Sequence, residues 1–378
     1  MSLKIGIVTE YYYPLLGGIT ENVHNTRLRL RKMGHEVKII TSNLNGGQFA
    51  FQNNHSLNDP DVIRLGRSIP VYNNGSIGHF TVGRHLRSKM RNILEKEKFD
   101  LLHLHSPLVI TLPIIALLEA KCPMVGTFHT YFESSPIYRL LKGLLQRRGM
   151  DRLNGQIFVS RSCVNAMSLY FKVSTRIIPN GVDISQFNPA VPPLEKFKNN
   201  KMNLLFLSRF DPRNGLSFML KAFKIIKSEF PDVRLIIVGD GPLKFWYKSL
   251  VPRELEDDVH FEGLVKEERP NYYATCDVFC SPIMKASFGV TLLESMASGK
   301  PIVATENVGY KDLLGPEEGI LVPQNSPSEF AKAVLLLLRN EKLRREMGLN
   351  GRKKALNYSW DKVVGEILDY YTEILYKQ

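Results

Sequence analysis

Residues 286–305 read Ala-Ser-Phe-Gly-Val-Thr-Leu-Leu-Glu-Ser-Met-Ala-Ser-Gly-Lys-Pro-Ile-Val-Ala-Thr. A small-residue loop at 286–289 opens an apolar helical stretch. Gly299-Lys300-Pro301 stops that helix, and Ile302–Ala304 begins a β-branched strand. The first N–H groups of a helix have no partner inside it, so Ser287, Phe288, Gly289 and Val290 present backbone donors suited to an anion. Glu294 lies one to two turns further on, among small and apolar residues that argue for a buried or occupied face.

The same alternation runs through the rest of the chain. Strand-like runs occur at Lys4–Thr9, Glu36–Thr41, Val62–Leu65, Leu101–Leu104, Met124–Phe128, Gln156–Val159 and Arg176–Ile178. A second series runs through Leu204–Leu207, Arg234–Val238, Val259–Phe261, Val278–Cys280, Ile302–Ala304 and Gly319–Val322. Helical periods such as Thr20–Met33 and Gly83–Glu97 separate them. Strands apolar on both faces with helices between them predict buried parallel sheets. Two such series predict an α/β chain of two doubly wound, Rossmann-like domains, 1–180 and 181–359, facing each other across a cleft. The turn Pro179-Asn180-Gly181 marks the boundary, and Pro189–Asn200 reads as a linker.

Composition narrows the classes. The chain has 378 residues, 44% hydrophobic and 23% charged, which excludes disordered, collagen-like and disulfide-scaffold chains. Four cysteines without a paired CxxC predict a reducing compartment and no metal site. The N-terminus runs straight into a strand, and the longest apolar run, Pro107–Leu118, is too short to span a bilayer. A cytoplasmic protein is expected. Net charge is +13, with 23 Lys and Arg against 11 Asp and Glu in residues 1–180 and 27 against 26 beyond. A basic first half predicts an anionic partner there.

In wound sheets ligands gather at the carboxyl ends of strands. After the first strand come Tyr11 and the Gly17-Gly18 pair at a helix start, which lets backbone approach an anion. His129 follows the strand Met124–Phe128, and Ser160 is a predicted N-cap. In the second half Arg209 and Arg213 follow Leu204–Leu207, where guanidinium groups suit a phosphate. Glycine turns at Gly239 and Gly263 close two further strands.

These segments together resemble family 4 retaining glycosyltransferases of the GT-B fold. The resemblance covers essentially the whole chain: the Gly-Gly loop, Thr127–Thr130, Ile178–Asp183, Ser208–Gly215, Ile236–Pro242, Phe261–Val265, Ser287–Thr305 and Tyr358–Val364. The stretch Ser68–Phe80 is similar to the acceptor loop of the phosphatidylinositol mannosyltransferase branch. The resemblance implies a nucleotide diphosphate sugar as donor, no metal and no other cofactor. It places His129 beside the transferred sugar, Gly17 and Gly18 against the donor diphosphate, and Arg209, with Arg213 nearby, on the same group. Glu294 would bond the donor ribose, and Gly263 to Val265 would meet the base, near Gly239. Tyr11, Thr20, Asn74, Ser76 and His79 would face the acceptor. A C-terminal helix, residues 360–378, would cross back onto the first domain.

Two positions depart from the family pattern. Asn214 stands where the family carries a lysine, and Ala286 where it carries a glutamate. The acceptor loop also has His79 and Thr81 where that branch uses basic residues. The expected function is retaining transfer of a hexosyl group to a glycan or lipid acceptor. The alternative is a GT-B protein that binds without turnover. A nicotinamide dehydrogenase is set aside for want of GxGxxG, and the basic residues form no nucleic-acid module. Basic residues around leucines in Ile137–Arg152 predict a helix lying at an anionic membrane, so a peripheral location at its inner face is expected.

Overall fold

A computed structural model describes residues 2–15, 17–43, 59–73, 76–109 and 111–376, without the side chains of 72, 73, 76 and 77. The chain forms two compact units, Met1–Asn180 with Trp360–Gln378, and Gly181–Ser359.

In the first unit, β1 (Lys4–Val8), α1 (Gly18–Lys32), β2 (Glu36–Ser42) and β3 (Val62–Leu65) precede a hairpin of β4 (Arg67–Asn73) and β5 (Ser76–Val82). Then follow α2 (Leu86–Glu97), β6 (Leu101–His105), α3 (Leu112–Glu119), β7 (Met124–Phe128), α4 (Pro136–Arg148), β8 (Gly155–Phe158) and α5 (Arg161–Ser168). The parallel sheet has the order β3-β2-β1-β6-β7-β8, so the winding reverses between β1 and β6. Ser160 caps α5 as expected, accepting from the Cys163 N–H at 3.3 Å.

The second unit repeats this plan. It contains β9 (Met202–Leu207), α6 (Leu216–Glu229), β10 (Val233–Val238), α7 (Lys244–Ser249), β11 (Val259–Gly263), α8 (Arg269–Thr275) and β12 (Val278–Ser281). It continues with α9 (Val290–Ala297), β13 (Ile302–Thr305), α10 (Val308–Lys311), β14 (Gly319–Val322), α11 (Pro327–Arg339) and α12 (Glu341–Ala355). Its parallel order is β11-β10-β9-β12-β13-β14, with the reversal between β9 and β12.

The last helix, α13 (Trp360–Tyr376), buries Trp360, Val363, Val364, Ile367, Tyr371 and Ile374. These recur at three- and four-residue steps and form one stripe. The stripe packs with Ile5, Ile7, Ile39, Leu101, Val125 and Ile157 of the first sheet.

Three local readings change. Arg176–Ile178 is no strand: it makes a single bridge, Phe158 to Ile177. Pro189–Asn200 is no free linker. Phe197 is buried, the Leu194 N–H donates to Thr275 Oγ1 at 2.8 Å, and the Asn271 amide donates to the Pro192 carbonyl at 2.9 Å. Its buried aromatic and these two hydrogen bonds hold it against the second unit, which its polar composition concealed. Around the stretch likened to an acceptor loop, residues 67–73 and 76–82 pair antiparallel, from Arg67 with Val82 to Asn73 with Ser76.

Candidate functional site

The reversal of the second sheet brings together the loops after β9 and β12. Gly215 has φ +77, and a Cβ there would lie 2.1 Å from the Pro282 carbonyl oxygen. The Met284 N–H donates to the Arg213 carbonyl at 2.9 Å, tying the two loops directly. The 282–284 segment is also held from behind. The Ile283 carbonyl accepts from Thr305 Oγ1 at 2.7 Å and Asn307 Nδ2 at 2.9 Å, and the Met284 carbonyl from Gln324 Nε2 at 2.8 Å. Gly309 presses on the next loop, where a Cβ would lie 2.4 Å from the Ala286 carbonyl oxygen. Gly289 caps α9 with no side-chain hydrogen bond, so the first-turn donors carry no side-chain cap.

Arg209 stands in the β9 loop with its side chain half exposed, and its Nη2 lies 2.6 Å from Asp211 Oδ2. Asn214 is buried, and its amide donates to the Arg209 carbonyl at 2.8 Å. The residue in the lysine position therefore braces the backbone of Arg209. Gly239, at φ +145, packs so closely that a Cβ would lie 1.9 Å from the Ser208 carbonyl oxygen. Its N–H donates to the Gly263 carbonyl at 2.8 Å, which joins the turns after β9, β10 and β11. Val265 is half-buried just beyond.

Glu294 is buried on α9. Its Oε1 lies 3.0 Å from Arg269 Nη2, and its Oε2 accepts from the Tyr273 hydroxyl at 2.9 Å. Burial and the neighbouring carboxylate hold the Tyr273 hydroxyl well above its ordinary pKa, so it stays a donor. The sequence reading names Glu294 but not its partners Arg269 and Tyr273, whose places on α8 carry no local signal.

In the first unit the carboxyl ends of the strands carry side chains. Glu10, just past β1, is buried and accepts from Thr81 Oγ1 at 2.5 Å, from the Leu112 N–H at 2.7 Å and from Thr111 Oγ1. It ties β1, the hairpin and the start of α3 together, and burial raises its carboxyl pKa. His129 is buried after β7, and its Nε2 lies 2.8 Å from His105 Nδ1. His103, two residues earlier on the same face of β6, lies 2.5 Å from Thr127 Oγ1 and 2.6 Å from the Tyr371 hydroxyl. Burial pushes His103 and His129 down to about 3 and His105 well below its ordinary value. The three rings are therefore neutral near pH 7. Glu10, His103 and His105 were missed, although the His-x-His alternation was a readable sign of one strand face.

Of the expected acceptor residues, Tyr11 and His79 come together. The His79 N–H donates to the Tyr11 hydroxyl at 3.2 Å, and the rings meet edge on. Thr20 is buried in the first turn of α1, and its hydroxyl has no hydrogen-bond partner among the described residues. Gly17, the cap of α1, has open space where a Cβ would sit, and Gly18 is the first helical residue. Asn74 and the side chain of Ser76 lie outside the described residues.

Helix α4 begins where Ser135 accepts from the Tyr138 N–H at 3.3 Å. Tyr138 packs on Phe132, Tyr170 and Phe171, while Ile137, Leu140 and Leu144 are 51%, 82% and 49% exposed. Arg139, Lys142, Arg147 and Arg148 are exposed around them. Among the described residues no helix is long and apolar enough to cross a membrane.

Comparison with known proteins agrees with this architecture. Residues 16–186 match the model of Glycosyltransferase Family 4, and residues 192–354 that of Glycosyl transferases group 1. The phosphatidyl-myo-inositol mannosyltransferase of Mycobacterium leprae is 30% identical over 380 residues, covering 98% of this chain and 97% of that protein. The alpha-monoglucosyldiacylglycerol synthase of Streptococcus pneumoniae is 27% identical over 337 residues, 82% of this chain and 73% of that protein. The crystal structure of Anabaena Alr3699/HepE in complex with UDP and glucose superposes with a TM-score of 0.75 at 18% identity, covering 98% and 99% of the two chains. Two parallel sheets wound in the same order and matches along both halves lead to one assignment: the chain belongs to the family 4 glycosyltransferases and has the GT-B fold.

Proposed function

We propose that the protein transfers a hexosyl group, with retention, from a nucleotide diphosphate sugar to a lipid or lipid-linked glycan acceptor. The observation that carries this reading is the reversal point of the second sheet. There a half-exposed Arg209 and a glycine-capped α9 offer a guanidinium and backbone N–H groups to a diphosphate. The sugar C1–O bond to the diphosphate breaks, and the bond to the acceptor oxygen forms on the same face. The departing phosphate oxygen takes the acceptor's proton, and Arg209 stabilises its charge without a metal. Gly17 and Gly18 approach the diphosphate, His129 the sugar and Glu294 the ribose. Tyr11, Thr20 and His79 belong to the acceptor. The lipid class is supported by relatives named for phosphatidylinositol and diacylglycerol. It is also supported by α4, whose exposed leucines and arginines suit the headgroups of an anionic membrane's inner face.

The test is a thermal-shift screen of nucleotide sugars, followed by transfer to anionic lipid extracts. A donor at 100 times its Kd stabilises by about 2.7 kcal/mol. Product formation with the anomeric configuration kept supports the reading. A donor that binds and yields neither transfer nor hydrolysis favours binding without turnover, the reading that Asn214 and Ala286 suggest.

A further inference from the structure

The His105–His129 pair has a geometry more specific than burial. The two rings are inclined by only 15° with centroids 5.0 Å apart, while the nitrogens approach to 2.8 Å. Nearly coplanar rings joined nitrogen to nitrogen form an in-plane hydrogen bond. One nitrogen must donate and the other accept, since neutral imidazole carries a single N–H. Burial keeps both rings neutral near pH 7.

The other nitrogen of His105 decides the direction. His105 Nε2 is buried and has no hydrogen-bond partner among the described residues. A buried N–H without an acceptor is rarer than an unpaired acceptor. The proton of His105 therefore sits on Nδ1 and points at His129 Nε2. His129 must then carry its own proton on Nδ1, because the bond made by one ring nitrogen sets the state of the other.

His105 is itself held. It packs at 4.4 Å, ring centroid to ring centroid, against His103, which the Tyr371 hydroxyl of α13 and Thr127 fix at both nitrogens.

We propose that His105 is a positioning residue that fixes His129 as its Nδ1–H tautomer, so that His129 meets the transferred sugar as a hydrogen-bond donor. This rests on the sugar contact given to His129 above. His129 then orients a sugar oxygen and moves no proton in the reaction.

The test is 15N NMR of the full chain with labelled histidine, with His129 assigned by the signal lost in His129→Gln. In the parent protein at neutral pH, Nδ1 of His129 shows the protonated shift and Nε2 the unprotonated one. His105→Asn keeps an amide N–H near the position of Nδ1 and preserves this pattern. His105→Phe removes the donor, and the pattern moves toward the Nε2–H form. Turnover falls about tenfold in His105→Phe, the equivalent of one hydrogen bond, and His105→Asn restores it. A parent His129 in the Nε2–H form overturns the proposal, as does an unchanged His129 spectrum in His105→Phe. The parent and His105→Asn spectra decide the matter even if His105→Phe does not fold. Expected spectra combined with full turnover by His129→Ala would overturn the sugar contact, and the tautomer assignment would stand.

Discussion

Both units wind six parallel strands in the same order, yet they fill the reversal point differently. The first unit fills it with side chains: Glu10 bonded to two threonines and a backbone N–H, and three histidines on neighbouring strands. The second fills it with backbone: Gly215 and Gly239 let loops approach to distances that no Cβ permits. Side-chain networks bring titratable groups into the core of the first unit, whereas in the second the loops pack backbone against backbone. The same topology thus carries a histidine-lined reversal point in one unit and a glycine-packed one in the other.

Acid should separate the two most strongly. His103, His105 and His129 stay neutral in the folded protein, while in the unfolded chain each binds a proton below about pH 6.5. The unfolded state then holds more protons, so stability is complete above that pH and is lost as pH falls toward the folded values. Each histidine removes about 2 kcal/mol by pH 5. Residues 181–359 contain one histidine, His260, also held low by burial. The two tryptophans report separately, buried Trp360 on the first unit and half-exposed Trp246 on the second. In a Trp246→Phe variant, the urea midpoint of Trp360 fluorescence should fall steeply between pH 7 and pH 5. A midpoint that does not move would show the histidines charging freely in the folded state.

The glycine contrast comes next in size. Gly239→Ala sets a Cβ 1.9 Å from the Ser208 carbonyl oxygen at φ +145, so backbone must shift. A loss of roughly 3 kcal/mol is expected. Gly17→Ala places its Cβ in open space and should change stability by less than about 0.5 kcal/mol. Thermal melts of the two variants side by side check this. Equal losses would erase the distinction between glycines needed by the fold and glycines left open.

Arg209→Ala is smaller. Its guanidinium is half exposed and already paired with Asp211, which discounts any ion pair it forms. Nucleoside diphosphate affinity should fall about tenfold, some 1–2 kcal/mol. Titration calorimetry measures it, and unchanged affinity would remove Arg209 from the diphosphate site.

The parallel strands were readable because most are short apolar runs buried on both faces, only β3 and β11 being largely half-buried, and twelve of thirteen expected runs lie in the two sheets. Arg176–Ile178 failed because a three-residue run with two isoleucines looks alike in a strand and in an extended arm. Gly239, Gly263 and Arg209 were visible as turn and charge signals at strand ends. Arg269, Tyr273 and Glu10 were not, since their partners lie far off in sequence and only the fold brings them near. Asn214 read as a missing charge. Its place under the Arg209 carbonyl gives it a bracing function that sequence spacing cannot express.

The mildest expected effect is a gain. Gly143 lies in the middle of α4, exposed, with nothing within 4 Å of a Cβ placed there. A mid-helix glycine costs backbone entropy that alanine does not, so Gly143→Ala should stabilise by roughly 0.5–1 kcal/mol. This reverses the sign at Gly239, because the α4 backbone is ordinary helix and the new methyl meets only solvent. The same variant bears on the lipid reading. The methyl group leaves Arg139, Lys142, Arg147 and Arg148 untouched, so binding to anionic vesicles should persist and still weaken with salt. Co-sedimentation at low and high salt, beside a thermal melt, measures both quantities. A raised melting temperature with vesicle binding retained fits an exposed helix resting on headgroups. A lowered melting temperature would mean that position 143 is covered in solution, and α4 would then be a packed helix with a basic outer face.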